Sequence, residues 1–124
     1  MFQRKYCWVL KEQLDLSAMR KAAKLFLGTH DFLAFCSNKQ FKKSSVRTVE
    51  DIQIVCKDSE LRIRVTGNGF LYNMVRILVG TLVEIGLGQR RADSIPTIFE
   101  TKKRENAGAM APAHGLYLME VRYS

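Results

Sequence analysis

Arg76 is the one positive charge in GNGFLYNMVRILVGTLVEIGLG, residues 67–88, a stretch otherwise made largely of apolar and small residues. A guanidinium keeps its proton in a protein, so a buried one needs a partner. Wound at about 100° per residue, Asn73, Arg76, Gly80 and Glu84 fall on one narrow face. Leu71, Met74, Val75, Leu78, Val79, Leu82 and Ile85 cover more than half of the circumference. Two readings follow. Arg76 pairs inside the chain, with Glu84, with Asn73 or with nearby carbonyls. Alternatively it points into a cleft and holds a carboxylate or phosphate. Gly80, four residues on, leaves room for another backbone or a ligand.

Other residue types with chemical capacity are sparse. His30 and His114 are the only histidines. His30-Asp31 hints at a metal-dependent hydrolase, but the further ligands of such a centre are missing from the sequence. Cys7, Cys36 and Cys56 are odd in number and contain no Cys-x-x-Cys pair, which argues against a disulfide framework or four-ligand zinc site and for a reducing cytosol. In GNG at 67–69 the third glycine of a dinucleotide fingerprint is replaced by Tyr72, so the glycines read as a bend between strand and helix. No Walker loop, Ser-His-Asp set or paired catalytic carboxylates occur.

Among 124 residues, Lys and Arg number 20 and Asp and Glu 12, a formal net charge of +8. For one small domain that excess points to a polyanionic partner, nucleic acid first and a membrane surface second, unless it is only a solvated basic surface. No secretory leader pattern is present, and the apolar run at 74–85 is interrupted by Arg76, Thr81 and Glu84, too short and polar to span a bilayer.

The elements that must position these residues are legible from periodicity. YCWVLK at 6–11 reads as a first strand. LDLSAMRKAAKLFLG reads as a helix capped by Asp15 or Ser17 and closed by Gly28, with Met19, Ala22, Ala23 and Phe26 as its apolar stripe. THDFLAFC is expected to be irregular or briefly helical, and SNKQFKKSS a loop. RTVEDIQIVCK places Ile52, Ile54 and Cys56 on one strand face, KDSE reverses the chain, and LRIRV alternates Leu61, Ile63 and Val65 against Arg62 and Arg64. Those two arginines lie on a solvent face or an RNA-contacting one. A helix over 70–86 follows, then GLGQRRAD, then a helix capped by Asp93 or Ser94 with buried Ile95, Ile98 and Phe99. ENAGAMAPAH is a loop and GLYLMEVRY a closing strand. Tyr117, Met119, Val121 and Tyr123 line one face of that strand, Leu116 and Leu118 the other. The two leucines pack under a neighbour or floor a pocket. The order predicts an α+β fold: a split β-α-β-β-α-β, ferredoxin-like antiparallel sheet with helices on one face and one extra helix. The whole chain, 1–124, reads as one domain. RNA-recognition modules share this topology, but their signature aromatic run is absent.

GTHDFLAF, SSVRT, the 67–88 stretch and KKRENAGAMAPAHGLYLMEVRY, in that order, resemble the C-terminal half of the tRNA pseudouridine synthase A family. The resemblance runs along essentially the whole chain. It implies two related α/β halves around a basic cleft, a homodimer, a cytoplasmic location, and no cofactor or essential metal. The reaction implied is isomerisation of uridine to pseudouridine in the anticodon stem-loop of tRNA. The family's catalytic Asp lies in an Arg-Thr-Asp motif of the N-terminal half. Here Arg47-Thr48 is followed by Val49 and no Arg-Thr-Asp occurs, so the half carrying that Asp is expected to be missing and the chain inactive alone. Asp31 matches a different block. Arg76, in NMVR, resembles the active-site arginine that pairs with the catalytic Asp. Leu116 or Leu118, in GLYL, resembles the apolar contact to the target nucleoside. Asn73 is a further candidate substrate contact, and Lys39, Lys42, Lys43, Arg90 and Arg91 are candidate phosphate contacts by charge and loop position. The alternatives are a stand-alone RNA-binding module and a dimerisation domain.

Overall fold

A computed structural model of the chain describes residues 2–9, 14–37, 44–57, 60–112 and 116–119, with the backbone alone at 2, 7–9 and 116–119. The alternating segments form the sheet. Strand β1 (Phe2–Val9) is followed by helix α1 (Leu16–Phe26), strand β2 (Gly28–Asp31), strands β3 (Val46–Lys57) and β4 (Glu60–Gly67), helices α2 (Met74–Gly86) and α3 (Ser94–Thr101), and strand β5 (Leu116–Met119). The spatial order is β2-β3-β4-β1-β5, every neighbouring pair antiparallel. Without β2 this is the split arrangement anticipated from sequence, β4 lying between the two strands that α1 connects.

One departure lies at THDFLAFC. Gly28–Asp31 is an added edge strand paired with Val46–Val49, and only Leu33–Phe35 forms a 3₁₀ turn. Four residues carry too little period-two signal to reveal a strand whose pairing is entirely long-range. Gly28 therefore opens β2, at φ 98°, instead of closing α1, whose C-cap is Leu27. At the other end of α1 the Asp15 carboxylate accepts from the Ala18 N–H at 3.1 Å, and Met19, Ala22, Ala23 and Phe26 are all buried as the stripe requires.

Tyr6, Val49, Ile54, Leu61, Ile63 and Val65 meet the helices and are buried, while Arg62 and Arg64 take the opposite face beside Cys7 and Lys5 of β1. Cys56 follows Ile52 and Ile54 in alternation but is exposed, although Leu61, its partner across the β3–β4 pairing, is buried. Helix α2 begins at Met74, four residues later than predicted. Eleven of its thirteen residues are buried, leaving Arg76 and Glu84 as the partly exposed pair on its polar stripe. Each large aliphatic side chain so buried contributes about 1.5–3 kcal/mol, so α2 is the axis of the core. Asp93 and Ser94 do not cap α3 by their side chains: the Ser94 hydroxyl donates to Arg91 O and Asp93 pairs with Arg91. Among the described residues no helix is long and apolar enough to cross a membrane.

Candidate active-site face around Arg76

The loop at 106–112 owes its course to small residues that let backbone lie directly on α2. An ideal Cβ on Gly80 would fall 1.6 Å from Ala109 O, so the room left at Gly80 is taken by backbone. Thr81 Oγ1 donates to Ile77 O at 2.8 Å and accepts from the Gly108 N–H at 2.9 Å, both inside the core. Arg104 donates to Gly108 O and Arg90 to Asn106 O, at 2.9 and 2.8 Å.

Arg76 closes this seam. Its Nε donates to Ala111 O at 2.8 Å, and its own carbonyl accepts from the Ala111 N–H at 3.0 Å. Its Nη1 donates to Asn73 Oδ1 at 3.2 Å. Asn73 occupies the left-handed region, φ 61°, which Asn tolerates better than most residues, and its amide donates to Ser37 Oγ at 3.0 Å. Of the in-chain partners weighed from sequence, Asn73 and a carbonyl hold. Glu84 does not: its carboxylate lies 3.9 Å from Arg90 and accepts from the Ala109 N–H. Among the described residues no ion pair reaches Arg76. Two neutral acceptors fix the direction of the half-buried guanidinium, and no carboxylate among the described residues pairs with its charge.

Tyr6 is the group that sequence reading missed. Its hydroxyl donates to Pro112 O at 2.6 Å, one residue beyond the Arg76 contact. Burial pushes the phenol up to about 12, and the Arg76 charge acts against that rise. The available signal was a tyrosine on the inward parity of a strand, where its hydroxyl needs a buried acceptor. Two residues earlier on β1, Arg4 lies over the Phe70 ring at 5.8 Å, its buried Nε without a hydrogen-bond partner among the described residues. The β1–β5 register sets Leu116 opposite Tyr6 and Leu118 opposite Arg4.

The basic candidates separate. Arg90 is half-buried and engaged with Asn106 and Glu84. Arg91 is exposed, its side chain 86% accessible, and 3.1 Å from Asp93. Lys39, Lys42 and Lys43 lie outside the described residues. His30 stacks on Phe99 at 4.4 Å and its Nε2 meets Leu27 O, so it serves packing. Asp31 accepts from Ser45 Oγ and from the Leu33 N–H and faces Lys102. Burial alone would raise its carboxyl, but these donors and the lysine charge hold it below the usual carboxylate range.

The family model for tRNA pseudouridine synthase matches residues 22–124, the segment that contains Arg76, the loop laid on α2 and β5. The chain belongs to the tRNA pseudouridine synthase family. It is 51% identical over all 124 of its residues to tRNA pseudouridine synthase A 1 of Bacillus cereus (strain ATCC 10987 / NRS 248), matching 50% of that protein. It is 53% identical over 114 residues, 92% of its length, to tRNA pseudouridine synthase A of Acetivibrio thermocellus, matching 47% of that protein. For the namesake of Halalkalibacterium halodurans the identity is 48% over 116 residues, 94% of this chain and 44% of the relative. The chain thus spans about half the length of the curated relatives it matches.

Proposed function

We propose that the chain is the C-terminal half of a tRNA pseudouridine synthase and supplies the arginine of an active site whose carboxylate comes from outside it. The observation that carries this reading is Arg76: oriented by Ala111 O and Asn73, on a partly exposed face, without a counterion among the described residues. An aspartate brought beside it is held ionised, its pKa lowered by about 1–3 units, and is thereby kept competent to attack the uridine ring or sugar. In the isomerisation the N1–C1′ bond of the target uridine breaks, a C5–C1′ bond forms, the C5 proton leaves and the freed N1 takes up a proton. Arg76 orients the carboxylate. Leu116 or Leu118, set opposite Tyr6 and Arg4 of β1, supplies the apolar contact to the nucleoside, and Asn73 holds the guanidinium. The target base must leave its stack at a cost of about a few kcal/mol, which basic contacts to the flanking phosphates offset.

The test is release of tritium from C5-labelled uridine in tRNA. The chain alone releases none. Mixed with the half of the Bacillus cereus relative that it does not match, it restores turnover, and Arg76→Ala lowers that turnover by about 10²-fold or more while tRNA binding is kept, as expected when a preorganised electrostatic contact is removed. Full turnover by the Arg76→Ala chain in that mixture would exclude the assignment. RNA binding by the chain with no turnover in any mixture would favour a non-catalytic RNA-binding module.

A further inference from the structure

Two arginine nitrogens are buried without a hydrogen-bond partner among the described residues, Nε of Arg4 and Nε of Arg64. Arg64 lies opposite Lys5, on the sheet face turned away from the helices. Arg4 has the parity of the buried Tyr6 and so shares the helical face with it. In register it sits between the buried Val65 of β4 and the position of Leu118 of β5. Its guanidinium carbon stands 5.8 Å over the ring of Phe70, in the segment that leads into α2. Among the described residues no ion pair and no hydrogen bond holds it. A solvated arginine packs its stem and keeps its charged head in water. Arg4 departs from that: the inner nitrogen of its fork is sealed, and a sealed donor on a charged group costs free energy until an acceptor meets it. The face is also doubly cationic. The Arg76 charge acts on Tyr6, two residues along β1 from Arg4, and Arg76 too has no carboxylate partner among the described residues. One aspartate brought from outside answers one guanidinium and leaves the other.

We propose that Arg4, held over Phe70, binds the phosphodiester attached to the target nucleotide of the RNA substrate. This rests on the synthase reading above and names the substrate group that meets the second guanidinium. Adjacent strands lie about 4.8 Å apart, and two residues along a strand span about 6.8 Å. Leu118 and Leu116 are therefore both within the reach of one nucleotide from Arg4. A nucleoside resting on either leucine carries its own phosphate to the fork. There the Nε–H and one Nη–H donate side by side to the two non-bridging oxygens, the bidentate geometry that suits a phosphate and satisfies the sealed nitrogen. The Phe70 ring supports the guanidinium from one side, so little side-chain freedom remains to be lost on binding. Held at its phosphate and at its apolar contact, the nucleotide has its sugar fixed relative to the carboxylate that Arg76 orients. Arg4 positions the substrate and touches none of the reacting atoms.

The test pairs a changed RNA with a changed protein and reads binding to the chain. The probe is an anticodon stem-loop containing one uridine, with a neutral methylphosphonate replacing the phosphate on the 5′ side or on the 3′ side of that uridine. For one of the two, affinity is expected to fall at least about tenfold, the loss of a charge-assisted contact. Arg4→Gln is expected to lose the same factor on the unmodified RNA and to be indifferent to that methylphosphonate. Its slope of log affinity against log salt should be shallower by about 0.7, the share of one phosphate on a single strand. The RNA substitution is read on the wild-type chain, so a folding defect in the variant does not imitate the result. Wild-type affinity unchanged by either methylphosphonate overturns the proposal. So does an Arg4→Gln chain that still loses the full factor to the methylphosphonate, and so does a chain that binds no RNA. Binding is measured without turnover, so the Arg76→Ala turnover test stands or falls separately from this one.

Discussion

A guanidinium on an apolar helix is held in place by neutral oxygens more economically than by a carboxylate when its charge is needed elsewhere. Ala111 O and Asn73 Oδ1 do this for Arg76, while Glu84, the acid on the same stripe, is drawn to Arg90. The adjacent Tyr6 makes the environment measurable. Its folded-state pKa, about 12, lies above the ordinary value of 10.0, so the folded form holds that proton more tightly than the unfolded chain. The resulting stability is complete below pH 10 and is lost as pH rises toward 12. Chemical denaturation across that range is expected to show the decline in the wild type and a smaller one in Tyr6→Phe, which also loses the Pro112 bond at all pH values, about 1 kcal/mol or more. An identical pH profile for the two proteins would place the titration elsewhere.

Contact between α2 and the loop at 106–112 is the structural decision on which the face around Arg76 depends. Gly80→Ala tests it in a direction opposite to helix propensity. In an isolated helix the change stabilises by about 1 kcal/mol. Here the new methyl would fall 1.6 Å from Ala109 O, so the loop backbone must move. Overpacking of this kind costs about 1–3 kcal/mol and more where backbone is the obstacle, so net destabilisation is expected, read as a lower urea midpoint. The displaced loop carries Ala111 with it, so catalysis in the reconstituted mixture falls by more than the folded fraction does. An unchanged or raised midpoint would mean that the loop does not rest on α2.

At the scale of the whole molecule the excess of eight positive charges matters through its distribution. Arg90 is tied into the Glu84–Asn106 network and Arg91 stands in solvent. Of these two arginines, Arg91 is therefore the one expected to contribute a phosphate contact. Binding of tRNA should weaken linearly on a logarithmic salt axis, and Arg91→Ala should reduce the slope by about 0.7–0.9, the share of one neutralised phosphate. Arg90→Ala should leave the slope nearly unchanged and lower the unfolding midpoint instead. Equal slopes for Arg91→Ala and wild type would remove Arg91 from the RNA surface.

Local pattern settled much of this protein in advance. Period-two alternation in LRIRV, the Met19–Ala22–Ala23–Phe26 stripe and the single positive charge in the 74–86 helix each depend on neighbours within a few residues, and they marked the central hairpin, the helices and the interest of Arg76, while the first strand, read at 6–11, runs Phe2–Val9. What alternation and spacing do not encode is which long-range partner a group finds. The edge strand at Gly28–Asp31, the proximity of Tyr6 to Arg76 and the loop backbone seated on Gly80 all arise from residues far apart in the chain. Only packing in three dimensions chooses among such partners, because each contact is worth little alone and is selected by the requirement that all buried polar groups and all core volume be satisfied together.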